Sequence, residues 1–146
     1  MSKRQVSVTR TINTTPDKIF ELLVDPAKHP ELDGSGTVKA ARPGGVERLE
    51  LGSKFGMDMK MGAPYKIQNT VVEFEKDRLI AWRHFNGHRW RWELEPADGD
   101  RTEVTETFDW STARIPFLID LSFFPRKNKQ GIEKTLDRLA ARFPEA

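Results

Sequence analysis

The sequence predicts an α+β fold in which a curved antiparallel sheet is covered on one face by a long C-terminal helix. Three observations lead there. The chain opens with a period-two segment followed at once by a capped helical stretch, its middle is a succession of alternating segments joined by short turns, and its tail carries an apolar stripe at helical spacing.

Val6, Val8 and Ile12 alternate with Ser7, Thr9 and Thr11, the pattern of a strand with one buried face, and Arg10 falls on that same face. Thr14-Thr15-Pro16-Asp17 supplies a hydroxyl N-cap, a first-turn proline and an acid. Ile19, Phe20, Leu22 and Leu23 then form a helical stripe that ends before Asp25-Pro26. From Lys28 to Gly45 the turn residues dominate, with one edge strand expected from Thr37 to Ala41. Phe55, Met57, Met59 and Met61 alternate with small or charged residues and therefore point one way. Strands are expected over Tyr65 to Glu75, Leu79 to Phe85, Arg89 to Glu95 and Thr102 to Trp110. Ile132, Leu136, Leu139 and Phe143 form the stripe of the final helix, and the greasy run Ile115 to Phe124 before it is closed by Pro125.

The register of the hairpin around Asn86-Gly87 follows from the need to sort side chains by face. A two-residue turn would set Trp82 against Arg91 and Trp90 against Arg83, mixing charge and ring on both sides. A three-residue loop with Gly87 left-handed instead sets Trp82 opposite Trp90 and Ile80 opposite Trp92. Pairing Leu94 with Val104 then places Trp92 opposite Glu106, Trp90 opposite Phe108, Arg89 opposite Asp109 and Arg91 opposite Thr107.

The chain of 146 residues is expected to form one domain, residues 1-146. It contains no cysteine, which excludes disulfide scaffolds, thiolate metal sites and cysteine nucleophiles. The 24 Lys and Arg against 22 Asp and Glu leave a net charge of only +2, so a phosphate-binding face is not expected despite a pI of about 9.0. Arg126-Lys127-Asn128-Lys129 reads as the solvated start of a helix. No bilayer-spanning segment and no apolar leader is apparent, so a cytoplasmic protein without integral membrane association is expected.

The order of elements, together with Ile12-Asn13-Thr14-Thr15-Pro16-Asp17-Lys18-Ile19-Phe20, the Asp25-Pro26 stop, Val71-Val72-Glu73-Phe74 before Leu79-Ile80-Ala81-Trp82, Trp92-Glu93-Leu94-Glu95-Pro96 and Thr102 to Thr107, resembles the START-like helix-grip superfamily. That superfamily is also labelled SRPBCC or polyketide cyclase/dehydrase. The resemblance covers nearly the whole chain. It implies a cavity between sheet and C-terminal helix for a lipid, a polyketide or another apolar compound. It leaves the activity open, because carriers, receptors, cyclases and oxygenase domains share the scaffold. An oxygenase would need two histidines with a carboxylate, and a separate cluster domain, which this sequence lacks.

Lining such a cavity, the sequence offers Phe55, Met57, Met59, Met61, Trp82, His84, Trp90, Trp92, Glu106, Phe108, Trp110 and Phe117. For proton transfer the candidates are His84, Glu106, Arg10 and Tyr65. Glu106 is expected to point inward, where a bare carboxylate must be partnered, protonated or wet, and Arg10 is a candidate partner if the first and last strands are neighbours, as the resemblance implies. No metal site is expected, since His29 is placed in a distant loop and His88 at a hairpin end, and no cofactor is expected. Asp33-Gly34-Ser35-Gly36 and Ile115 to Phe124 are expected at the cavity mouth. Three functions remain: carriage of a small hydrophobic molecule by a monomer or weak homodimer, a cyclase/dehydratase reaction in the same cavity, or a partner-binding module using Ile115 to Phe124 as an apolar patch.

Overall fold

The computed structural model describes residues 4–33, 38–41, 48–61, 63–84 and 87–144, with residues 38–41, 58, 60, 61 and 64–67 described by their backbone alone. Among the described residues, seven antiparallel strands form one curved sheet in the order β1-β7-β6-β5-β4-β3-β2. They are β1 (Gln5–Ile12), β2 (Val38–Ala41), β3 (Lys54–Met61), β4 (Ala63–Glu75), β5 (Leu79–Arg83), β6 (Arg89–Ala97) and β7 (Arg101–Asp109). The helices are α1 (Pro16–Leu23), α2 (His29–Leu32), α3 (Pro116–Asp120) and α4 (Phe124–Arg142), with a 3₁₀ turn at Pro26–Lys28.

The sequence expectation of sheet plus C-terminal helix holds, and so does the register. Trp82 pairs with Trp90, Ile80 with Trp92, Trp92 with Glu106, Trp90 with Phe108 and Leu94 with Val104. Gly87 sits at φ +95, and its N–H donates to the His84 carbonyl at 2.9 Å. A Cβ at this position would lie 2.6 Å from the Thr112 carbonyl oxygen, so the hairpin end and the β7–α3 connection approach each other only because residue 87 is glycine.

The register divides the sheet into two chemistries. On the outer face, Ser7 and Thr107 hydroxyls lie 2.8 Å apart, as do those of Thr9 and Thr105. Beside them Arg91 donates two hydrogen bonds to Glu73, at 3.0 and 2.8 Å, and also reaches Asp109, while Arg89 donates to Glu73 at 2.9 Å. This network satisfies the charges that the central strands must carry on the side away from the core.

The inner face is apolar and holds the core. Ile132, Leu136 and Leu139 of α4 are buried, and α4 packs on β1 and β7. α1 buries Ile19, Phe20 and Leu23, with the Phe20 ring edge-on to Phe74 at 5.4 Å. Pro125 lies in the first turn of α4, where a missing N–H costs nothing, so the chain breaks into α3 and α4 and no proline kink arises.

Three local expectations are corrected. Thr15 is the N-cap of α1 but makes no capping hydrogen bond, and the Asp17 carboxylate lies below its ordinary pKa, favoured first by the neighbouring Thr15 hydroxyl. The stretch after Asp25, expected to be loop, forms the 3₁₀ turn and α2, with the Asp25 carboxylate accepting from the Ala27 N–H at 3.1 Å. Arg10 shares a face with Val8 and Val6 but escapes to the protein surface, its side chain 44% exposed and paired with Asp137 of α4. An edge strand gives a long side chain that route to water.

Candidate functional site

The inner face outside the footprint of α4 is lined by rings. Trp82 and Trp90 are only half-buried although both point inward, whereas Trp92, Phe55, Met57 and Phe108 are buried and Met59 packs against the core from its edge. Phe108 lies 5.0 Å from Trp90 and 5.4 Å from Trp110, and Trp82 lies edge-on to Phe55 at 5.5 Å. A covering layer comes from α2. Its His29 stacks on Trp82 at 4.9 Å, with Nε2 2.8 Å from the Leu23 carbonyl, and burial holds its pKa below the ordinary value. Arg138 and Arg142 of α4 tie this layer down through the Asp33 carbonyl, at 2.6 Å, and the Glu31 carboxylate, at 3.5 Å.

Polar groups enter this apolar surface at a few defined points. Glu106, 6% exposed, faces inward from β7 between the Val8 and Trp92 positions. Burial raises its pKa well above the usual carboxylate value, and the Asp33 carboxylate adds to the rise, so the group tends to the neutral acid. Among the described residues its buried Oε1 has no hydrogen-bond partner. The Arg10 pairing expected from sequence does not form, since Arg10 is engaged by Asp137.

His84 and His88 flank the hairpin end with rings stacked at 4.7 Å, and His88 meets Phe108 at 5.3 Å. Burial brings both pKa values down to about 4, so the imidazoles are neutral at physiological pH. His88 Nδ1 and Asn69 Oδ1 are further buried polar atoms without a hydrogen-bond partner among the described residues. Asn69 shares a face with Phe55, its cross-strand neighbour. A β-bulge between Val71 and Glu73 hid it from sequence reasoning, because counting back by twos from the inward Phe74 points Asn69 outward, and the extra residue reverses that parity.

Of the remaining expected residues, Trp110 is buried and donates its indole N–H to Asp120 at 2.6 Å. Phe117 lies on α3 and is 56% exposed, away from the inner rings. Tyr65 pairs with Met59 across β3 and β4, and Met61 ends β3, but their side chains lie outside the described residues, as does the Gly34-Ser35-Gly36 segment expected at the mouth. Among the described residues no group of three or more His, Asp or Glu is arranged to hold a metal ion. No described helix is long and apolar enough to cross a membrane.

A sheet closed on one side by helices, with an aromatic inner surface and isolated polar groups, defines an α+β domain of the helix-grip class. The family model described as "Polyketide cyclase / dehydrase and lipid transport" matches residues 3–144, and the chain belongs to that family. It is 39% identical over 135 residues to the protein Rv0088 of Mycobacterium tuberculosis, a match that covers 86% of this chain and 58% of that protein's length. The chain thus spans little more than half of this curated relative. The solved structure of NE0264 from Nitrosomonas europaea is similar with a TM-score of 0.74 at 14% identity, covering 97% of this chain and 94% of that one. An AHSA1-like protein from Aeromonas hydrophila is similar with a TM-score of 0.66 at 17% identity, covering 94% and 93%. At such identities these structures report the fold.

Proposed function

We propose that this chain binds a small hydrophobic molecule on the inner face of the sheet beside α4, with Trp82, Trp90, Met59 and Phe108 against its apolar body and Glu106 on a polar group of it. The observation that carries this reading is the neutral-leaning, buried Glu106, whose Oε1 lacks a partner among the described residues in the midst of an aromatic surface. A buried polar atom left unpaired costs free energy unless a partner arrives, and a ligand hydroxyl or carbonyl is such a partner. Half-buried Trp82 and Trp90 support it, because indoles that face inward and remain accessible are poised to lose water to a guest. The family's description gives both cyclase/dehydrase and lipid transport, and the apolar lining fits either use.

A cyclase/dehydratase reading is supported by one further observation: a neutral acid, Glu106, shares its face with the neutral imidazoles of His84 and His88. Recovering the bound compound separates the two, since a carrier returns it unchanged and an enzyme returns a cyclised or dehydrated product.

The experiment follows the quench of tryptophan emission during titration with an apolar phenol or a fatty acid at a series of pH values. The proton on Glu106 is a donor to the ligand below the raised pKa and is lost as pH rises through it, so wild-type affinity should fall by about tenfold across that rise, the worth of roughly one hydrogen bond. Glu106→Gln keeps a donor at every pH and should bind with a flat profile. A wild-type profile that is equally flat removes Glu106 from the ligand.

A further inference from the structure

The segment from Ile115 to Phe124 does not close over the inner face. No residue of α3 is buried, and Ile115 (47%), Phe117 (56%), Leu118 (53%), Leu121 (83%) and Phe123 (64%) are exposed. This is an expensive way to use large apolar side chains, and a contiguous patch of them normally has an occupant. The patch is also held in place. The Asp120 carboxylate accepts from Arg4 Nε at 3.1 Å and from the Trp110 indole at 2.6 Å, which fixes α3 against the end of the sheet while its apolar side chains face solvent.

The charge carried by this stretch of chain is nearly all of one sign. Arg114, Arg126, Lys127 and Lys129 are exposed along the same stretch, and its single acid, Asp120, is already engaged by Arg4. This stretch therefore carries +3 (four basic residues less one acid) where the whole chain carries only +2. The Lys127 ammonium rests 5.8 Å from the centre of the Phe123 ring, so cation and apolar surface are interleaved.

We infer that α3 and the first turn of α4 dock on an anionic lipid surface, with Phe117, Leu118, Leu121 and Phe123 entering the headgroup boundary and Arg114, Arg126, Lys127 and Lys129 pairing with lipid phosphates. The combination of exposed rings and leucines with a basic rim is what interfacial binding requires. A second copy of this chain fits less well, because a two-fold contact would bring the same four cations face to face. The inference stands on the surface alone, whatever the inner face holds.

Flotation of the full chain with vesicles tests it, using phosphatidylcholine alone and phosphatidylcholine with one quarter phosphatidylglycerol. The protein should float with the anionic vesicles at low salt, and much less with the neutral ones or at high salt. Lys127→Glu with Arg126→Glu should cut the bound fraction at least tenfold, as about fivefold per basic residue implies. Phe117→Asp with Leu121→Asp should abolish binding while leaving the melting temperature unchanged, since both side chains are exposed. The proposal is overturned if the wild type ignores anionic vesicles, or if it binds them equally well with both apolar residues replaced. A dimer, or a complex with an acidic protein, that these substitutions dissolve while no vesicle is bound overturns it as well.

Discussion

Leu136→Ala is expected to lower the unfolding free energy by about 2 to 5 kcal/mol, the range for emptying a fully packed leucine site. Leu136 lies at the middle of the α4 stripe, 1% exposed, with Ile132 and Leu139 on either side. α4 is the long helix that covers β1 and β7, and this stripe is its apolar anchor, its other ties to the body being exposed polar contacts from Asp137, Arg138 and Arg142. The removed methyl groups leave a void between a helix and a sheet that neighbouring rings hold apart, so collapse is limited. Urea unfolding followed by circular dichroism should show a lower midpoint with an unchanged slope. A loss below about 0.5 kcal/mol, the scale of surface substitutions, would mean that α4 is not anchored by this stripe.

Arg91→Ala should cost a comparable amount, about 2 to 4 kcal/mol, for the opposite reason. Arg91 is the cation that joins Glu73 and Asp109 on the outer face, and its side chain is only 16% exposed. Deleting one partner of a largely desolvated cluster leaves the carboxylates without their main compensation. The hydrogen bonds from Arg91 are the leading cause that Glu73 titrates below its usual value. A carboxylate with a depressed folded pKa contributes stability that is present above its unfolded pKa of 4.5 and is lost as pH falls through the folded value. The wild type should therefore lose stability on acidification below about pH 4.5, and Arg91→Ala should lose less, because its Glu73 keeps only the smaller part of the shift, the part that Arg89 supplies. Equal acid sensitivity in the two proteins would show that the cluster does not act through Arg91.

Much of this architecture is legible in the sequence because the strands are binary. Arg89, Arg91 and Glu93 alternate with Trp90, Trp92 and Leu94, so only one hairpin register keeps rings with rings, and it is the one adopted. The inward carboxylate followed from the same counting. Legibility fails where a local rule is overridden by the surroundings. The bulge in β4 inverts parity and turns Asn69 inward. Pro26 and Pro30 look like punctuation, yet both stand at the starts of helical turns, and so His29, placed in a remote loop, arrives against Trp82. Arg10 finds Asp137 from a helix more than a hundred residues downstream, a contact that no spacing in the sequence encodes. The apolar run before α4 was expected near the cavity mouth, and its composition alone does not reveal that it faces outward.

An inner face of this kind should accept an apolar guest. Native mass spectrometry of the purified chain, before and after incubation with fatty acids and polycyclic phenols, measures this directly. A non-covalent adduct at a ratio of one to one is expected, weakened by Trp82→Ala and by Trp90→Ala. A bare polypeptide mass under every condition would contradict it.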